Sequence, residues 1–504
     1  MTHLCVAIFV TDIAKAKREI ALAGEAGADM VELRIDRMND ADELTAILEE
    51  NSFPVIVTRR PLGEDIDLLN AATEEADYVD IELTDSAATI NALAQVPRDS
   101  RPGLIASSHD FQGRPDRLYN ILSELNGLHG DVTKIVWTAR TVRDNLEAFE
   151  ILQNKQKPTI ALCMGEAGLI SRILAKKFGA FLTFASLDSA GGTAPGQIPI
   201  ADMKRLYRWD AINAATKVYG VVGNPIGHSM SPAIHNAAFD HVGHDGVYLP
   251  LLVESGYESF KAFMESFVNF DGLHLRGLSI TIPHKENALH YLQEKNAQIE
   301  PLAMRIGAVN TIVIGSDKKL RGFSTDYAAI LDTITDALGI SRSDLANYRV
   351  AVIGAGGTGR TAVAALAHCG ATVVVYNRTR DRADALAAEF NGKTGKVVAA
   401  PLEKLCDSCC QIYLNATSLG MSPAVDQTPW GSTPPKLDSK TLVFDTVYNP
   451  LQTKMLREAA AAGAKTAGGI EMFVRQAAGQ FFAWTAKTAP LQIMRRVVEE
   501  RLVR

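Results

Sequence analysis

The sequence predicts an α/β protein in which an N-terminal (β/α)8 TIM barrel precedes a two-lobed unit with a Rossmann nucleotide-binding domain. Three observations carry this prediction. Eight short apolar runs alternate with helical segments between residues 4 and 187. A glycine-rich loop joins an apolar strand to a helix in the second half. The length of 504 residues exceeds what one ordinary hydrophobic core serves, so two or three domains are expected.

The eight apolar runs are the expected strands of the barrel. They are "LCVAIFV" (4–10), "MVELRID" (30–36), "PVIVTRR" (54–60), "YVDIEL" (78–83), "LIASSHDF" (104–111), "TKIVWTA" (133–139), "PTIALCM" (158–164) and "FLTFASL" (181–187). The segments between them, such as "TVRDNLEAFEILQN", carry apolar residues at helical spacing. Eight consecutive βα units favour a closed barrel over an open sheet.

Polar side chains gather at the carboxyl ends of these runs, which form the active face of such a barrel. Glu32 and Arg34 lie at the end of the second run, and His109 lies at the end of the fifth. For any one residue, a solvated strand end is a competitive interpretation, but it is weaker for so many together. Arg34, Arg60 and Arg172 predict a cationic mouth and therefore an anionic substrate, in the first place a carboxylate.

Lys134 lies early in the sixth run, beside apolar residues. A lysine at such a position is costly unless it is paired, neutralised or used. Spacing alone leaves two interpretations equally open. Desolvation and neighbouring arginines would favour the neutral amine as a nucleophile, or else Lys134 reaches the barrel rim or pairs with Glu82. His109, one strand earlier, is a candidate for moving protons beside an imine.

The first half resembles the type I 3-dehydroquinate dehydratases. The motifs "VELRID", "VTRRPLGE", "SSHDF", "VTKIVWTA", "LCMGEAGLISR" and "TAPGQI" occur in the order of that family over residues 1–205. The resemblance implies that Lys134 forms a Schiff base with the substrate ketone, that His109 is the general acid and base, and that no metal takes part. The residues that it implies for substrate binding are Glu32, Arg34, Arg60, Arg172, Thr193 and Gln197.

Two positions depart from the pattern of that family. Thr193 stands where a serine is usual before "APGQ", and its hydroxyl preserves the polar contact. The stretch "GEDI" replaces the usual glycine-rich sequence around Glu64, so the resemblance assigns no role to Glu64.

A nucleotide-binding motif lies in "RVAVIGAGGTGRTAVAALAHCGATVVVYNRTRDRA", residues 349–383. Gly354, Gly356 and Gly359 satisfy G-x-G-x-x-G between a strand and a helix, where the glycines allow close backbone approach and the helix N-terminus stabilises a pyrophosphate. An NAD site usually has an acidic residue after the second strand. This chain has "NRTR" (377–380) there, and its guanidinium and hydroxyl groups suit a 2′-phosphate, so the sequence predicts NADP rather than NAD.

Around this motif the second half resembles shikimate dehydrogenase, over residues 217–500. The motifs are "VVGNPIGHSMSPAIHNAAF", "LSITIPHKEN", "AVNTI", "GFSTDYAAI", "NATSLGM", "DTVYNPLQT" and "GGIEMFVRQAAGQF". Taken singly, Ser231 and Asp326 have the ordinary interpretation of helix caps. Taken together, the hydroxyls, an amide and a Lys/Asp pair could surround a polyhydroxylated acid. The resemblance implies that Lys285 and Asp326 are the catalytic pair, with hydride supplied by NADPH.

The resemblance also implies two sets of binding residues. Those for substrate are Ser229, Ser231, Thr281, Asn310, Asp326, Tyr448 and Gln476. Those expected along the cofactor are Gly354, Ala355, Gly356, Gly357, Thr358, Gly359, Asn377, Arg378, Thr379, Arg380, Met421, Thr446 and Gly469. The serine and threonine positions favour shikimate over quinate, while Ser324 departs from the asparagine that usually precedes "TD".

The expected domains are a barrel over 1–210, a substrate-binding lobe over 217–330 and a Rossmann domain over 331–469. The last helices, around 470–504, are expected to return to the substrate lobe, because Gln476 is implied to bind substrate. The cleft between the lobes could then close on a hinge. The whole chain is predicted to be a bifunctional enzyme of the shikimate pathway. A quinate/shikimate dehydrogenase that uses NAD and a regulatory binding protein are the alternatives.

Composition and charge limit the kinds of binding partner that are expected. The net charge of −7 gives no reason to expect nucleic-acid binding, and no apolar run is long enough to span a bilayer. Six scattered cysteines, three of them in "CDSCC", are interpreted as reduced thiols because no second Cys/His pair lies near them. The expected partners are small molecules: 3-dehydroquinate, 3-dehydroshikimate and shikimate. With no signal peptide evident, the expected compartment is the cytoplasm, or a plastid if a transit peptide was removed.

Overall fold

The architecture is taken from a computed structural model, which describes residues 1–38, 40–49, 51–60, 72, 75–188, 192–392 and 395–502. The strands of the first half are β1 (His3–Phe9), β2 (Met30–Arg34), β3 (Val55–Thr58), β4 (Tyr78–Glu82), β5 (Gly103–Asp110), β6 (Val132–Thr138), β7 (Thr159–Met164) and β8 (Leu182–Ala185). Its helices are α1 (Ile13–Glu25), α2 (Ala41–Leu48), α3 (Leu83–Leu93), α4 (Leu118–Gly127), α5 (Asp144–Gln153), α6 (Leu169–Ile173) and α7 (Ile200–Arg205).

These eight strands form one parallel sheet that curls into a barrel. The order across the sheet is β7-β6-β5-β4-β3-β2-β1-β8, so each strand is followed by its neighbour in sequence. At the junction of β7 and β8, the backbone N–H of Phe181 donates to the carbonyl of Thr159 at 2.8 Å. The predicted TIM barrel is therefore confirmed, and each predicted run contains its strand to within a few residues.

The barrel interior is filled by side chains from alternate strands, as is usual for this fold. Glu32 from β2, Asp80 from β4 and Lys134 from β6 are all buried. The Lys134 ammonium also lies 4.4 Å from the centre of the Phe184 ring on β8. One interior layer thus contains three ionisable groups, where apolar residues would be the ordinary filling.

The second half begins with a mixed six-stranded sheet of order β10-β9-β11-β13-β14-β12. Its strands are β9 (Lys217–Gly223), β10 (Gly246–Leu252), β11 (Leu275–Ile280), β12 (Gln298–Ile299), β13 (Thr311–Ile314) and β14 (Leu320–Phe323). Its helices are α8 (Ser231–His241), α9 (Tyr257–Asn269), α10 (Lys285–Glu294), α11 (Pro301–Ile306) and α12 (Thr325–Leu338). β13 runs antiparallel to its neighbours β11 and β14.

A parallel six-stranded sheet follows, of order β17-β16-β15-β18-β19-β20. Its strands are β15 (Arg349–Ile353), β16 (Thr372–Tyr376), β17 (Val397–Ala400), β18 (Ile412–Asn415), β19 (Leu442–Asp445) and β20 (Lys465–Ala467). The helices are α13 (Gly357–His368), α14 (Arg380–Phe390), α15 (Lys454–Ala461), α16 (Gly469–Thr485) and α17 (Leu491–Leu502). This strand order is that of the Rossmann fold, so the predicted fold class is confirmed for both halves.

The last two helices leave the Rossmann sheet. Phe481 of α16 and Met494 of α17 share one apolar cluster with Tyr219 of β9 and Phe239 of α8. This packing brings Gln476 on α16 to the cavity between the lobes. In the described part of the chain, no helix combines the length and apolar character needed to cross a bilayer.

Candidate active sites

Lys134 is held by two buried carboxylates in the middle of the barrel. Its Nζ donates to Oδ2 of Asp80 at 2.5 Å and to Oε1 of Glu32 at 3.1 Å. The lysine is 3% exposed, so water does not screen these contacts. The alternative that Lys134 pairs with Glu82 is wrong, because Lys134 pairs with Asp80 and Glu32, whereas Glu82 pairs with His109 and Arg60.

Asp80 connects the lysine to the arginines. It accepts hydrogen bonds from Ser107 Oγ at 2.5 Å and from Arg60 Nη2 at 3.4 Å. Burial would raise the pKa of the Asp80 carboxyl, but Lys134 and Arg60 outweigh burial and hold that pKa well below its usual range. Lys134 is therefore surrounded by carboxylates. Of the arginines that were expected beside it, Arg60 contacts the same carboxylate, Asp80.

His109 is positioned by Glu82. Its Nδ1 lies 2.8 Å from Oε2 of Glu82, and its backbone N–H donates to Oε1 of the same carboxylate at 2.8 Å. Since a carboxylate only accepts, Nδ1 carries the hydrogen and Nε2 keeps a lone pair. Burial lowers the pKa of His109 to about 4, against the opposing effect of Glu82. The imidazole is therefore a neutral base at pH 7.

The three arginines of the predicted cationic mouth differ in their partners. Arg34 donates to Asp36 through Nη2 at 2.7 Å, and Arg60 lies between Asp80 and Glu82. Arg172 is 1% exposed, and its Nε has no hydrogen-bond partner. Burial lowers the pKa of Arg172 to about 10, so the group remains a cation. Of the three arginines, Arg172 is the one that offers an unmatched positive charge to a substrate anion.

The remaining predicted residues of the barrel lie on the segment after β8. The backbone N–H of Thr193 donates to Oε1 of Gln197 at 2.7 Å, and Nε2 of Gln197 donates to the Thr193 hydroxyl at 3.1 Å. These two bonds link Thr193 to Gln197, and one of them uses the Thr193 hydroxyl, the group that the family's usual serine would also supply. Glu64 lies outside the described residues.

The second site is a cavity of about 460 Å³ between the substrate lobe and the Rossmann domain. All seven residues implied for substrate binding line it: Ser229, Ser231, Thr281, Asn310, Asp326, Tyr448 and Gln476. Lys285 lines it too, as do Thr358, Met421, Thr446 and Gly469 from the expected cofactor set. Residues from positions 229 to 476 therefore meet at one place.

Lys285 and Asp326 form an ion pair in this cavity. Nζ of Lys285, at the first position of α10, donates to Oδ2 of Asp326 at 2.6 Å. Asp326 lies in the first turn of α12, next to Thr325, whose backbone N–H donates to Oδ1 of Asn310 at 2.9 Å. The helix start thus aligns the carboxylate, and the asparagine anchors that start to β13. Ser324, the departure noted above, only donates its backbone N–H to Glu300 here, at 3.2 Å.

The glycine loop fits a dinucleotide. A Cβ on Gly359 would lie 1.9 Å from the carbonyl oxygen of Gly354, so a side chain there is impossible without movement. Gly354 has φ +111°, a conformation that favours glycine. A Cβ on Gly356 would meet nothing within 4 Å, which leaves open space at the start of α13. Close packing beneath the loop and free space above it are what a pyrophosphate requires.

The residues after β16 differ in whether their side chains are already held by other groups of the protein. Oδ1 of Asn377 accepts the backbone N–H of Ala355 at 3.1 Å and so links this turn to the glycine loop. Arg380 is paired with Asp384 at 2.9 Å, on its own helix. Arg378 is exposed and has no recorded ion pair in the described part of the chain. Arg378 is therefore the better placed of the two arginines for a 2′-phosphate.

Sequence reasoning missed three residues of these sites. Asp80 could have been found by the argument used for Lys134, because it is a charge inside an apolar strand and shares a face with Glu82 by the two-residue period. Ser279 and Gln480 line the second cavity, where the Ser279 hydroxyl donates to Oε1 of Gln480 at 2.8 Å. Those two are 201 positions apart, and no local pattern links them.

Models of known protein families match both halves of the chain. The family models that match are type I 3-dehydroquinase (residues 4–214), shikimate dehydrogenase substrate binding domain (221–312), shikimate / quinate 5-dehydrogenase (337–427) and shikimate 5′-dehydrogenase C-terminal domain (469–499). The bifunctional 3-dehydroquinate dehydratase/shikimate dehydrogenase, chloroplastic, of Arabidopsis thaliana is 38% identical over 99% of this chain and 84% of its own length. The chain belongs to this bifunctional family.

The relatives of the second half alone are dehydrogenases. A shikimate dehydrogenase (NADP(+)) of Methanosarcina acetivorans is 38% identical over 57% of this chain and 99% of its own length. The crystal structure of a shikimate dehydrogenase in complex with NADP+ has a TM-score of 0.52 and is 34% identical over 58% of this chain and 98% of its own. Both predicted resemblances are therefore confirmed, as is the prediction of a shikimate-pathway enzyme that combines a dehydratase with a dehydrogenase. The NADP prediction agrees with the names of these relatives.

Proposed function

We propose that the barrel dehydrates 3-dehydroquinate to 3-dehydroshikimate through an imine on Lys134. The observation that carries this proposal is a lysine at the centre of an interior layer, next to a neutral histidine base that a carboxylate orients. The two carboxylates beside Lys134 also stabilise the positive charge of a protonated imine, which replaces the ammonium without changing the net charge of the layer.

The steps follow from these groups. The Lys134 ammonium passes a proton to the neutral His109, and the free amine attacks the substrate ketone. His109 returns that proton to the resulting hydroxyl, which leaves as water and gives the protonated imine. His109 Nε2 removes the proton from the neighbouring carbon, and the electron pair moves into the imine. The imidazolium then gives a proton to the departing hydroxyl as the C–O bond breaks. Water hydrolyses the product imine and frees Lys134.

Arg172 is proposed to bind the substrate carboxylate. A buried guanidinium without a partner is costly in the free protein, and a carboxylate bound in the barrel mouth would supply the missing hydrogen bonds. Arg34 and Arg60 are already held by Asp36, Asp80 and Glu82, so we assign them to shaping the mouth and to weaker substrate contacts.

Reductive trapping tests the imine. Borohydride added with 3-dehydroquinate should attach one ligand-derived mass to the peptide that contains Lys134. Lys134→Arg is the matched variant, because it keeps the charge between Glu32 and Asp80 but forms no imine, and it should give no adduct. An adduct on another lysine, or undiminished dehydration by Lys134→Arg, would falsify the proposal.

For the second cavity we propose NADPH-dependent reduction of 3-dehydroshikimate to shikimate. Bound NADPH would supply the hydride, held by the glycine loop and by Arg378. Lys285 would give its proton to the oxygen of the reacting carbonyl, and Asp326 would hold the lysine and a substrate hydroxyl in place. The hydroxyls of Ser229 and Ser231 would bind at the opposite end, where a carboxylate fits.

Steady-state kinetics tests this assignment. Lys285→Ala should lower kcat for shikimate oxidation by about 100- to 10,000-fold, the usual range for a lost general acid–base group. Lys319→Ala changes an exposed lysine of the same lobe and should leave kcat unchanged. A small effect of Lys285→Ala on kcat would contradict the role of the lysine.

The alternatives are separated by turnover. A quinate/shikimate dehydrogenase that uses NAD would show its highest kcat/KM with quinate and NAD, whereas we expect it with shikimate and NADP. A regulatory binding protein would bind shikimate without turning it over. The compartment stays a prediction, cytoplasmic or plastid; "chloroplastic" is said of the Arabidopsis protein.

A further inference from the structure

A third cavity lies outside both proposed catalytic sites. It has a volume of about 730 Å³ and opens where α11 of the substrate lobe meets α12 and α13. A narrower groove of about 360 Å³ adjoins it, and the two share Leu302, Arg305 and His368 as lining. Together they form a continuous depression, called here the junction groove, with one polar end and one apolar end.

The polar end has two donors, Arg305 and Tyr327, beside the carboxylate of Glu300. Arg305 is exposed, and among the described residues it has no recorded ion pair. Arg342, by contrast, is paired with Asp332 at 2.6 Å. Tyr327 lines the same space, and its hydroxyl makes no hydrogen bond to another described residue. Burial raises the pKa of Tyr327 to about 12, so the hydroxyl remains a donor.

The apolar end is lined by Ile306, Ala364 and Phe390. Arg360 lies beside this end, where its guanidinium is 5.4 Å from the centre of the Phe390 ring and donates to the Ile306 carbonyl and to Glu389. This arginine is therefore already used. Arg305 is left as the cation that a ligand in the groove would meet.

We propose that the junction groove binds a small monocarboxylic acid with an apolar, preferably aromatic, body. The body would occupy the apolar end, while the carboxylate would accept hydrogen bonds from Arg305 and Tyr327. Glu300 also lines the polar end and places a negative charge there. Its Oε2 accepts the backbone N–H of Ser324. That carboxylate disfavours dianions such as phosphate, which is why a monoanion is expected.

The helices that form the groove also carry residues of the second catalytic site, so a ligand bound in the groove can affect that site. α12 carries Asp326 in its first turn, α13 begins in the glycine loop, and α11 leads through Gly307 to Asn310. An occupant between these helices would bias how the two lobes close. We therefore expect it to change kcat for shikimate oxidation and to leave dehydration unchanged. This effect on turnover rests on the proposed dehydrogenase function, whereas the binding does not.

Calorimetric titration of the full chain tests the binding. The probe is 3-phenylpropionate, with 3-phenylpropanol as the neutral analogue, and the titration is run with saturating shikimate so that the carboxylate site between the lobes is filled. The acid should bind at least tenfold more tightly than the alcohol, and Arg305→Gln should remove that difference. Tyr327→Phe should weaken the acid by a smaller factor.

Arg496→Gln is the matched control, because Arg496 is an exposed arginine of α17 that does not line the groove. It should bind the acid as the unchanged chain does. Equal affinities for acid and alcohol, or an Arg305→Gln variant that binds the acid as before, would overturn the proposal. Displacement of the acid by shikimate would also overturn it, because it would place the probe in the catalytic cavity.

Discussion

Lys134 and Lys285 are both paired with carboxylates, but their surroundings suit different chemistry. Lys134 is 4% exposed at its side chain and contacts two carboxylates, whereas Lys285 is 17% exposed and contacts one. A protonated imine on Lys134 carries a fixed positive charge, and two buried carboxylates beside it stabilise that charge. A proton donor must be recharged from solvent, which a more open site allows.

Arg172 allows a prediction in which stability and activity move in opposite directions. Arg172→Met removes a buried cation that lacks a partner at Nε, so the thermal unfolding midpoint should rise. The same change should lower kcat/KM for 3-dehydroquinate by about 10- to 100-fold, the value of one or two charge-assisted hydrogen bonds. Arg34→Met is the control, since it leaves Asp36 without its partner and should lower the midpoint.

The pKa of His109 predicts the pH dependence of dehydration. Because burial lowers this pKa to about 4, Nε2 stays unprotonated well below pH 6.5, and the acidic limb of kcat/KM should lie near pH 4 to 5. An acidic limb at the ordinary histidine value would contradict this. The free energy of unfolding should change over the same pH range. Because the unfolded chain takes up the proton on His109 first, the stability that this residue contributes is fully present above about pH 6.5 and is lost as the pH falls toward 4.

At the scale of elements, period and composition were enough to predict the eight strands of the first half and the two strands that flank the glycine loop. The run "LIASSHDF" was predicted over 104–111 and the strand is Gly103–Asp110, because β-branched and apolar residues mark a buried strand whatever surrounds it. The Rossmann helix was predicted for the same kind of reason, since the glycine loop needs a strand before it and a helix after it.

The sequence alone could not predict which side chains of distant elements contact one another. Lys134 contacts Asp80 across 54 positions and Glu32 across 102, and only barrel closure with its register brings them to one level. Arg380 is different: it was expected to contact the cofactor, but it pairs with Asp384 four positions later on the same helix, a spacing that the sequence already contains. The resemblance to known families supplied residues for the second cavity that spacing alone could not have brought together.

Two glycines of one loop give a prediction at this scale. Gly359→Ala would force a Cβ against the Gly354 carbonyl, so it should destabilise the Rossmann domain, visible as a lower thermal midpoint. Gly356→Ala places its methyl in open space and should leave the midpoint unchanged while weakening NADP binding. Unchanged NADP affinity in Gly356→Ala, measured by calorimetry, would contradict the placement of the pyrophosphate at the start of α13.

At the scale of the whole molecule, the two halves are joined by packing as well as by the chain. Phe178 of the barrel stacks on Phe149 at 4.1 Å between ring centres and meets Phe270 of the substrate lobe edge-on at 6.1 Å. Beside them, Nζ of Lys177 donates to the carbonyls of Ala214 and Thr216 in the segment before β9. Yet the two proposed sites share no catalytic residue, so each should operate when the other is disabled.

The independence of the two sites in one chain is the central claim, and a coupled assay of single-site variants tests it most directly. With 3-dehydroquinate and NADPH, the unchanged chain should form shikimate. Lys134→Arg alone and Lys285→Ala alone should each form shikimate at least about 100-fold more slowly. An equimolar mixture of the two variants should restore formation through free 3-dehydroshikimate. Failure of the mixture, or loss of both half-reactions in either single variant, would contradict two independent sites.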